Sequence, residues 1–309
     1  MTREAEAPKP LKTDKGDKLK VGAALAAVYV IWSTTYLAIR IAVAEFPPFF
    51  MVGVRFVIAG AAMYFVFRRR GVKAPAAVEW RAAFITGTLL LGGNAGLVVA
   101  EQWVESGLAA LVIAGVPFCI ALLNGIWNQW PSGREWTGIA IGFAGIALLN
   151  FENQMRANPW GAVALMLAVV SWSLGTVLKR YLPIPRGSMA TAVEMLLGGV
   201  VFSIVSLACG ERLDAVPSRA AIIAFFYLLV FGSFVAFTAY DYLVRNVRPA
   251  LASSYAYACP VFAVILGVTF AGEKLSSIGF VGMMIIVSGV VLMAWKNGSK
   301  DAAYKQEEH

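Results

Sequence analysis

The chain has 309 residues, of which 59% are hydrophobic and only 14% charged, against roughly 25% charged in an average soluble domain. A soluble globule of this size cannot cover itself with so few charges, so the composition excludes a water-soluble enzyme. The single histidine is His309, and Cys119, Cys209 and Cys259 lie far apart. That excludes His/Cys metal clusters, a Cys–His nucleophile and a disulfide framework, and no metal or cofactor is expected.

A helix needs about 20 mostly apolar residues to cross the hydrocarbon core. Ten such stretches are predicted, at 21–44, 46–67, 82–100, 107–128, 136–151, 160–180, 188–209, 220–244, 250–271 and 277–295. They are continuous apolar runs, not the short alternating segments of a β-barrel. The first is too long for a cleavable signal and carries Arg40 near its far end. The expectation is an all-α membrane protein of ten transmembrane helices. Residues 1–20 and 296–309 form charged tails, with 1–18 and 297–309 expected to be disordered.

Orientation follows from the distribution of Lys and Arg between alternate loops. Of the 26, Arg40 and Arg55 fall inside spans and Arg156, Arg212, Arg219 and Lys274 fall on one side; the remaining twenty, Lys179 and Arg180 among them, fall on the side of the termini. Both termini are therefore expected in the cytoplasm of a cell whose plasma (inner) membrane holds the protein. The net charge of +8 is accounted for by this asymmetry and calls for no nucleic-acid partner. The Lys-rich N-terminus, interleaved with Glu4, Glu6, Asp14 and Asp17, reads as a solvated topogenic tail.

An internal repeat recurs at an offset of about 140 residues. Trp32-Ser33 followed by Arg40 matches Trp172-Ser173 followed by Arg180. Leu108-Ala109 followed by Pro117 matches Leu251-Ala252 followed by Pro260, and Gly138 and Gly145 match Gly282 and Gly289. The halves are 21–151 and 160–295. Five spans per half is an odd number, so the second half enters the membrane from the opposite side. Inverted repeats place a site near the midplane and allow it to face either side in turn.

The Leu-Ala-(Ala/Ser) pattern with a mid-span Pro, Arg55-Phe56 in span two and Gly272-Glu273-Lys274-Leu275 before span ten resemble the EamA-type repeat of the ten-helix drug/metabolite transporters. The resemblance spans nearly the whole chain outside the tails, and within that superfamily it is nearest to exporters of aromatic and neutral amino acids. It implies two inverted five-helix repeats around a central cavity lined by spans one to four and six to nine. The first half departs from the pattern, with Trp130-Pro131-Ser132-Gly133-Arg134 in place of the Gly-Glu-Lys-Leu turn.

Ionisable groups deep in a span are functional candidates. Arg55 and Glu194 are equivalent in the repeat, and each is either a substrate or proton site or a register-fixing pair, with each other or with carbonyls. Asp241, between Tyr240 and Tyr242, either faces the cavity mouth or anchors the interface. Arg40 and Glu101 lie near span ends and are expected to snorkel to water. Asn94, Ser253, Ser254 and Tyr257 are polar near mid-span, the last three on one helical face, and serve either a zwitterionic substrate or helix–helix bonding. Trp32, Trp172 and Tyr240 either stack on the substrate or pack, whereas Trp80, Trp103, Trp136, Trp160 and Trp295 read as interface anchors. Pro117 and Pro260 remove backbone donors and are candidate hinges. With no GxxxxGK[ST] loop, the expected activity is secondary transport of neutral amino acids by rocking of the two repeats, with monomer a plausible state. The alternatives are another small metabolite or drug on the same architecture, or a scaffold that transports nothing.

Overall fold

The computed structural model describes residues 15–104, 109, 112, 113, 115–150, 159–259, 262 and 277–294. Among them the secondary structure is entirely helical: α1 Lys15–Val43, α2 Pro48–Arg69, α3 Ala77–Ala100, α4 Val116–Gly125, α5 Gly133–Asn150, α6 Pro159–Tyr181, α7 Ser188–Ala208, α8 Arg219–Asn246, α9 Pro249–Ala252 and α10 Ser277–Ala294. Each overlaps one of the ten apolar stretches, and α1, α3 and α5 begin several residues before theirs. Six of them (α1, α2, α3, α6, α7 and α8) are long and apolar enough to cross a membrane. The two tails beyond residues 15 and 294, Pro260, the Gly272–Leu275 turn and Trp295 lie outside the described residues.

Local sequence sets the helix ends. Two prolines open α2, where the missing N–H and fixed φ cost nothing. The Ser132-Gly133-Arg134-Glu135 run, which departs from the repeat, is a capping box for α5. The Ser132 N–H donates to Glu135 Oε2 at 2.7 Å, and the Glu135 N–H to Ser132 Oγ at 3.4 Å. Ser218 caps α8, accepting from the Ala221 N–H at 3.3 Å. Midway along α8, residues Leu228–Val235 widen into a π-helix, and the Ser233 hydroxyl donates to the Leu228 carbonyl five residues back.

Helix pairing reveals the symmetry. α2 packs on α7 and α5 on α10, each helix against its own repeat equivalent. α3 packs on α6, and the pair equivalent to it, α8 on α1, is also present. Contact runs in opposite chain directions. Gly53 meets Ser203 and Gly60 meets Leu196 in one pair; Gly145 meets Gly282 and Gly289 meets Gly138 in the other. Equivalent helices that pack antiparallel require halves of opposite orientation.

The residue contacts are themselves symmetric. Gly60 lies on the Leu196 backbone, and Gly199 lies on Val57, where an added Cβ would stand 2.6 Å from the amide nitrogen. Exchange of 57 with 196 and 60 with 199 is one shift of 139 residues. Across α5 and α10, a Cβ on Gly145 would lie 2.9 Å from the Gly282 carbonyl oxygen, and one on Gly289 would lie 2.8 Å from that of Gly138. The twofold axis runs through these glycine contacts.

Loops on one face are tied together. The Ser218 N–H and hydroxyl donate to the Glu45 carboxylate at 2.5 and 2.6 Å, and Glu211 accepts from the Phe49 and Phe50 N–H groups at 3.2 and 2.7 Å. This face carries the α1–α2 and α7–α8 loops. The opposite face carries the α6–α7 loop and the α8–α9 junction, where Arg180 donates to the Val247 carbonyl and Arg248 meets Glu135 at 2.9 Å. Exposed Leu167, Ile204, Leu207 and Ile223 belong to the apolar outer surface that lipid covers.

Two outcomes test this packing. Gly60→Ala and Gly199→Ala should each lower stability by about 1–3 kcal/mol through overpacking, whereas Gly133→Ala, which meets no atom within 4 Å, should leave the detergent melting temperature unchanged. The Ser218 donors hold the Glu45 carboxyl below its ordinary value of 4.5, so the stability it adds is present above that value and lost as pH falls through the lower, folded one. The wild type should therefore lose a small increment of melting temperature on acidification that Glu45→Gln does not show.

Candidate functional site

A narrow cavity of about 60 Å³ sits where α1, α3, α4, α6 and α8 meet the 255–259 helical turn. α1 supplies Trp32, Thr35, Tyr36 and Ile39, a run of roughly 10 Å at 1.5 Å per residue from the bundle middle toward the α1–α2 loop. Asn94 and Leu97 come from α3, Trp172 from α6, Phe237 from α8, and Tyr255 and Cys259 from the 255–259 turn. A second groove, between Trp80, Arg81, Phe84, Ile85 and Leu197, is shallow and belongs to the lipid-facing surface.

The repeat explains the floor of the cavity. Trp32 and Trp172 are equivalent residues, and they meet edge to face with ring centroids 5.4 Å apart. Tyr255 lies 4.5 Å and Tyr240 5.1 Å from Trp32, and Phe237 lies 5.5 Å from Trp172. These separations are those of attractive aromatic pairs. The Trp172 indole N–H donates to the Tyr240 hydroxyl at 3.2 Å, and Thr176 bonds the same hydroxyl at 2.9 Å. The cluster closes the cavity toward the α6–α7 face.

Beyond that floor lies a chain of charges. Lys179 Nζ donates to Glu194 Oε2 at 2.6 Å and forms an ion pair with Asp241 Oδ1 at 2.6 Å. Glu194 also accepts from the Thr86 hydroxyl at 2.6 Å, and Arg245 Nε donates to Asp241 Oδ2 at 3.0 Å. Lys179, Glu194 and Asp241 are all buried, and the four charges cancel. The four charges sit on α6, α7 and α8 of the second half, and the Thr86 hydroxyl on α3 ties them to the first half.

Arg55 stands apart from that network. It is 2% exposed, and its Nη2 donates to Asn94 Oδ1 at 2.6 Å. Its guanidinium lies 4.4 Å from the Phe56 ring centre, and Phe56 in turn meets Phe237 of the cavity wall. Among the described residues it has no carboxylate partner, and its Nε has no acceptor.

The structure thus places Trp32, Trp172 and Asn94 on the cavity wall, with Tyr240 behind the tryptophans and Arg55 behind Asn94, but not the polar face expected of span nine. That helix breaks into a turn at 253–254. Ser253 donates to the carbonyls of Pro249 and Ala250, Ser254 bonds the Tyr29 hydroxyl at 2.5 Å, and the Tyr257 ring rests on Gly142 of α5. Tyr255 and Cys259, one turn apart, face the cavity in their place. Arg55 and Glu194 do not pair with each other. Lys179, counted with the loop cations although predicted span six reaches 180, lies inside α6, which ends at Tyr181, and is buried there. Its spacing from Trp172 and Thr176, at i+7 and i+3, was the signal for that face. Asp241 is buried in the network and is no interfacial anchor. Glu101 does not snorkel: it is buried, with both carboxylate oxygens unpartnered among the described residues. Pro117 stands in the first turn of α4, after a turn at Gly115 that follows helical Val112 and Ile113, so it lies at an interruption within span four.

Removing Lys179 would leave two buried carboxylates facing each other. Lys179→Met should cost about 3–5 kcal/mol, read as a fall in detergent melting temperature, and adding Glu194→Gln and Asp241→Asn should recover most of it. Recovery would fail if Lys179 acted only by filling space.

Residues 20–151 and 159–295 each match the EamA-like transporter family, one match per half. The chain is 46% identical over 272 residues to an uncharacterized inner membrane transporter, YedA, of Escherichia coli strain K12, covering 87% of this chain and 89% of that one. It is 24% identical to an uncharacterized transporter, sll0355, of Synechocystis, with 92% of each chain covered. A crystal structure of 21% identical sequence shares the fold, with a TM-score of 0.73 over 89% of this chain and 96% of its own. With both inverted halves matched and the cavity on the axis between them, this chain belongs to the EamA-like transporter family.

Proposed function

We propose that the protein is a multi-pass inner-membrane transporter that exports neutral amino acids, aromatic and hydrophobic ones included, by alternating access. The observation that carries this reading is the cavity on the repeat axis. Its walls are mostly aromatic and aliphatic, and Asn94, Thr35 and Tyr36 are among its few polar groups. Such a wall suits a ligand with an apolar side chain and a compact polar end. The excess of Lys and Arg in the loops beside the termini supports a cytoplasmic position for both ends, which puts the cavity on the outer side.

A volume of about 60 Å³ falls below the ~300–1,000 Å³ of small-molecule sites, so substrate entry requires helices to part. Rocking of one intact repeat against the other does not fit the packing, because the glycine contacts join equivalent helices of opposite halves. We infer instead that movement concentrates where helices are interrupted: at Gly115–Pro117, in the π-segment of α8 and at the 253–254 turn. This keeps Pro117 as a candidate hinge by virtue of its position at a break.

In reconstituted vesicles, counterflow of phenylalanine, tryptophan and leucine should exceed that of protein-free vesicles, and lysine and glutamate should not. Trp172→Ala should lower aromatic flux by at least tenfold, whereas Tyr257→Phe should leave it unchanged. Absence of any amino-acid exchange above the empty-vesicle rate would overturn the substrate assignment.

A further inference from the structure

We propose that Asn94, held by Arg55, is the carboxylate site of the cavity, so that the ligand's negative end is bound on α3 and its side chain against the tryptophans. The proposal deepens, and rests on, the reading of the cavity as an amino-acid site. A guanidinium has only donors. The Asn94 atom facing it at 2.6 Å is therefore the amide oxygen, which leaves the amide N–H₂ as the donor that Asn94 has for the cavity it lines. At this point the wall offers donors backed by a positive charge.

Among the described residues that charge has no countercharge. Lys179 has two carboxylates and Arg245 has Asp241, yet Arg55, also buried, has among them the Asn94 oxygen and the face of Phe56. Arginine does not shed its charge at accessible pH, and a buried cation without a partner is costly. A ligand carboxylate seated on Asn94 would supply the missing charge. Arg55 is thus a positioning residue: it sets the orientation of the amide and the sign of the field, and Asn94 touches the ligand. Phe237, packed on Phe56 beside the guanidinium, also lines the cavity, so the anionic and apolar ends of a ligand would be held within one small space.

Matched acid and amide pairs of phenylalanine and leucine provide the test, with binding read as the ligand-dependent change in the intrinsic tryptophan fluorescence of the purified full chain, whose nine tryptophans include Trp32 and Trp172 at the cavity. The acids should bind at least about tenfold tighter than the amides. Arg55→Gln should remove that preference. Should Arg55→Gln fail to fold, Asn94→Asp keeps the guanidinium paired and supplies an internal carboxylate. It should weaken acid binding at least tenfold, leave phenethylamine binding undiminished and preserve the melting temperature. Equal binding of acids and amides, no response to any acid, or full acid binding by Asn94→Asp would overturn the proposal. Acid-selective binding without vesicle flux would sink the transport reading and keep this site, whereas flux of acid and amide alike would sink the site and keep transport.

Discussion

Close backbone contact between equivalent helices is the constraint from which the rest of this fold follows. Lipid removes the hydrophobic drive between helices, so association relies on van der Waals contact, and small residues permit the closest approach. Gly60 and Gly199 let α2 and α7 meet almost backbone to backbone, and Gly145 and Gly289 do the same for α5 and α10. Because these glycines are related by the repeat, each pair forms a symmetric contact. Two such contacts fix the axis. Trp32 and Trp172, equivalents themselves, then meet on it, and a cavity at the axis inherits one wall from each half.

The polar interior divides in two. The Lys179 network is neutral, with its charges on the second half and a hydroxyl from Thr86 of the first, and its charges are taken up by one another. Across the halves the floor of the cavity consists of aromatic edges and faces. Aromatic contacts are less directional than bidentate or crowded ion pairs, so the seam between the halves is made of the more forgiving interaction. The position of Lys179 among α6, α7 and α8 fits a brace for one side of that seam.

The spans and their repeat were legible because both rest on composition and spacing, which are properties of the chain itself. The tryptophan pair and the glycines of spans five and ten could be read as matched positions, although nothing in the sequence says that matched residues touch. Facing direction was harder. Ser253, Ser254 and Tyr257 share a face only if the helix is continuous, and the turn at 253–254 rotates Tyr255 and Cys259 into the cavity. Lys179 was misplaced because a charged residue near a span end is ordinarily a loop residue or snorkels. Its two acidic partners, 15 and 62 positions further on, are what make its burial affordable. The Ser132–Glu135 capping box departs from the repeat yet obeys local chemistry, which is why the resemblance to the family gave no reading of it while a helix-start rule does.

The distribution of breaks bears on how such a bundle can move at all. An uninterrupted helix pair with glycine-to-backbone contact resists shear, since a shift of a fraction of an ångström drives Cα atoms into carbonyls. α2 with α7 and α5 with α10 are pairs of this kind. The interruptions fall elsewhere: before α4, within α8 and after α9, that is in spans four, eight and nine, all of which contribute to the cavity wall. A π-turn or a proline-led start leaves backbone groups short of helical partners and lowers the cost of local bending. The Ser233 bond to Leu228 and the Ser173 bond to the Val116 carbonyl lie at two of these interruptions, where side chains supplement the backbone ladder. The closely packed seams hold the axis while the interrupted spans flank the cavity, so the fold separates the contacts that fix the symmetry from the spans whose backbone is least constrained.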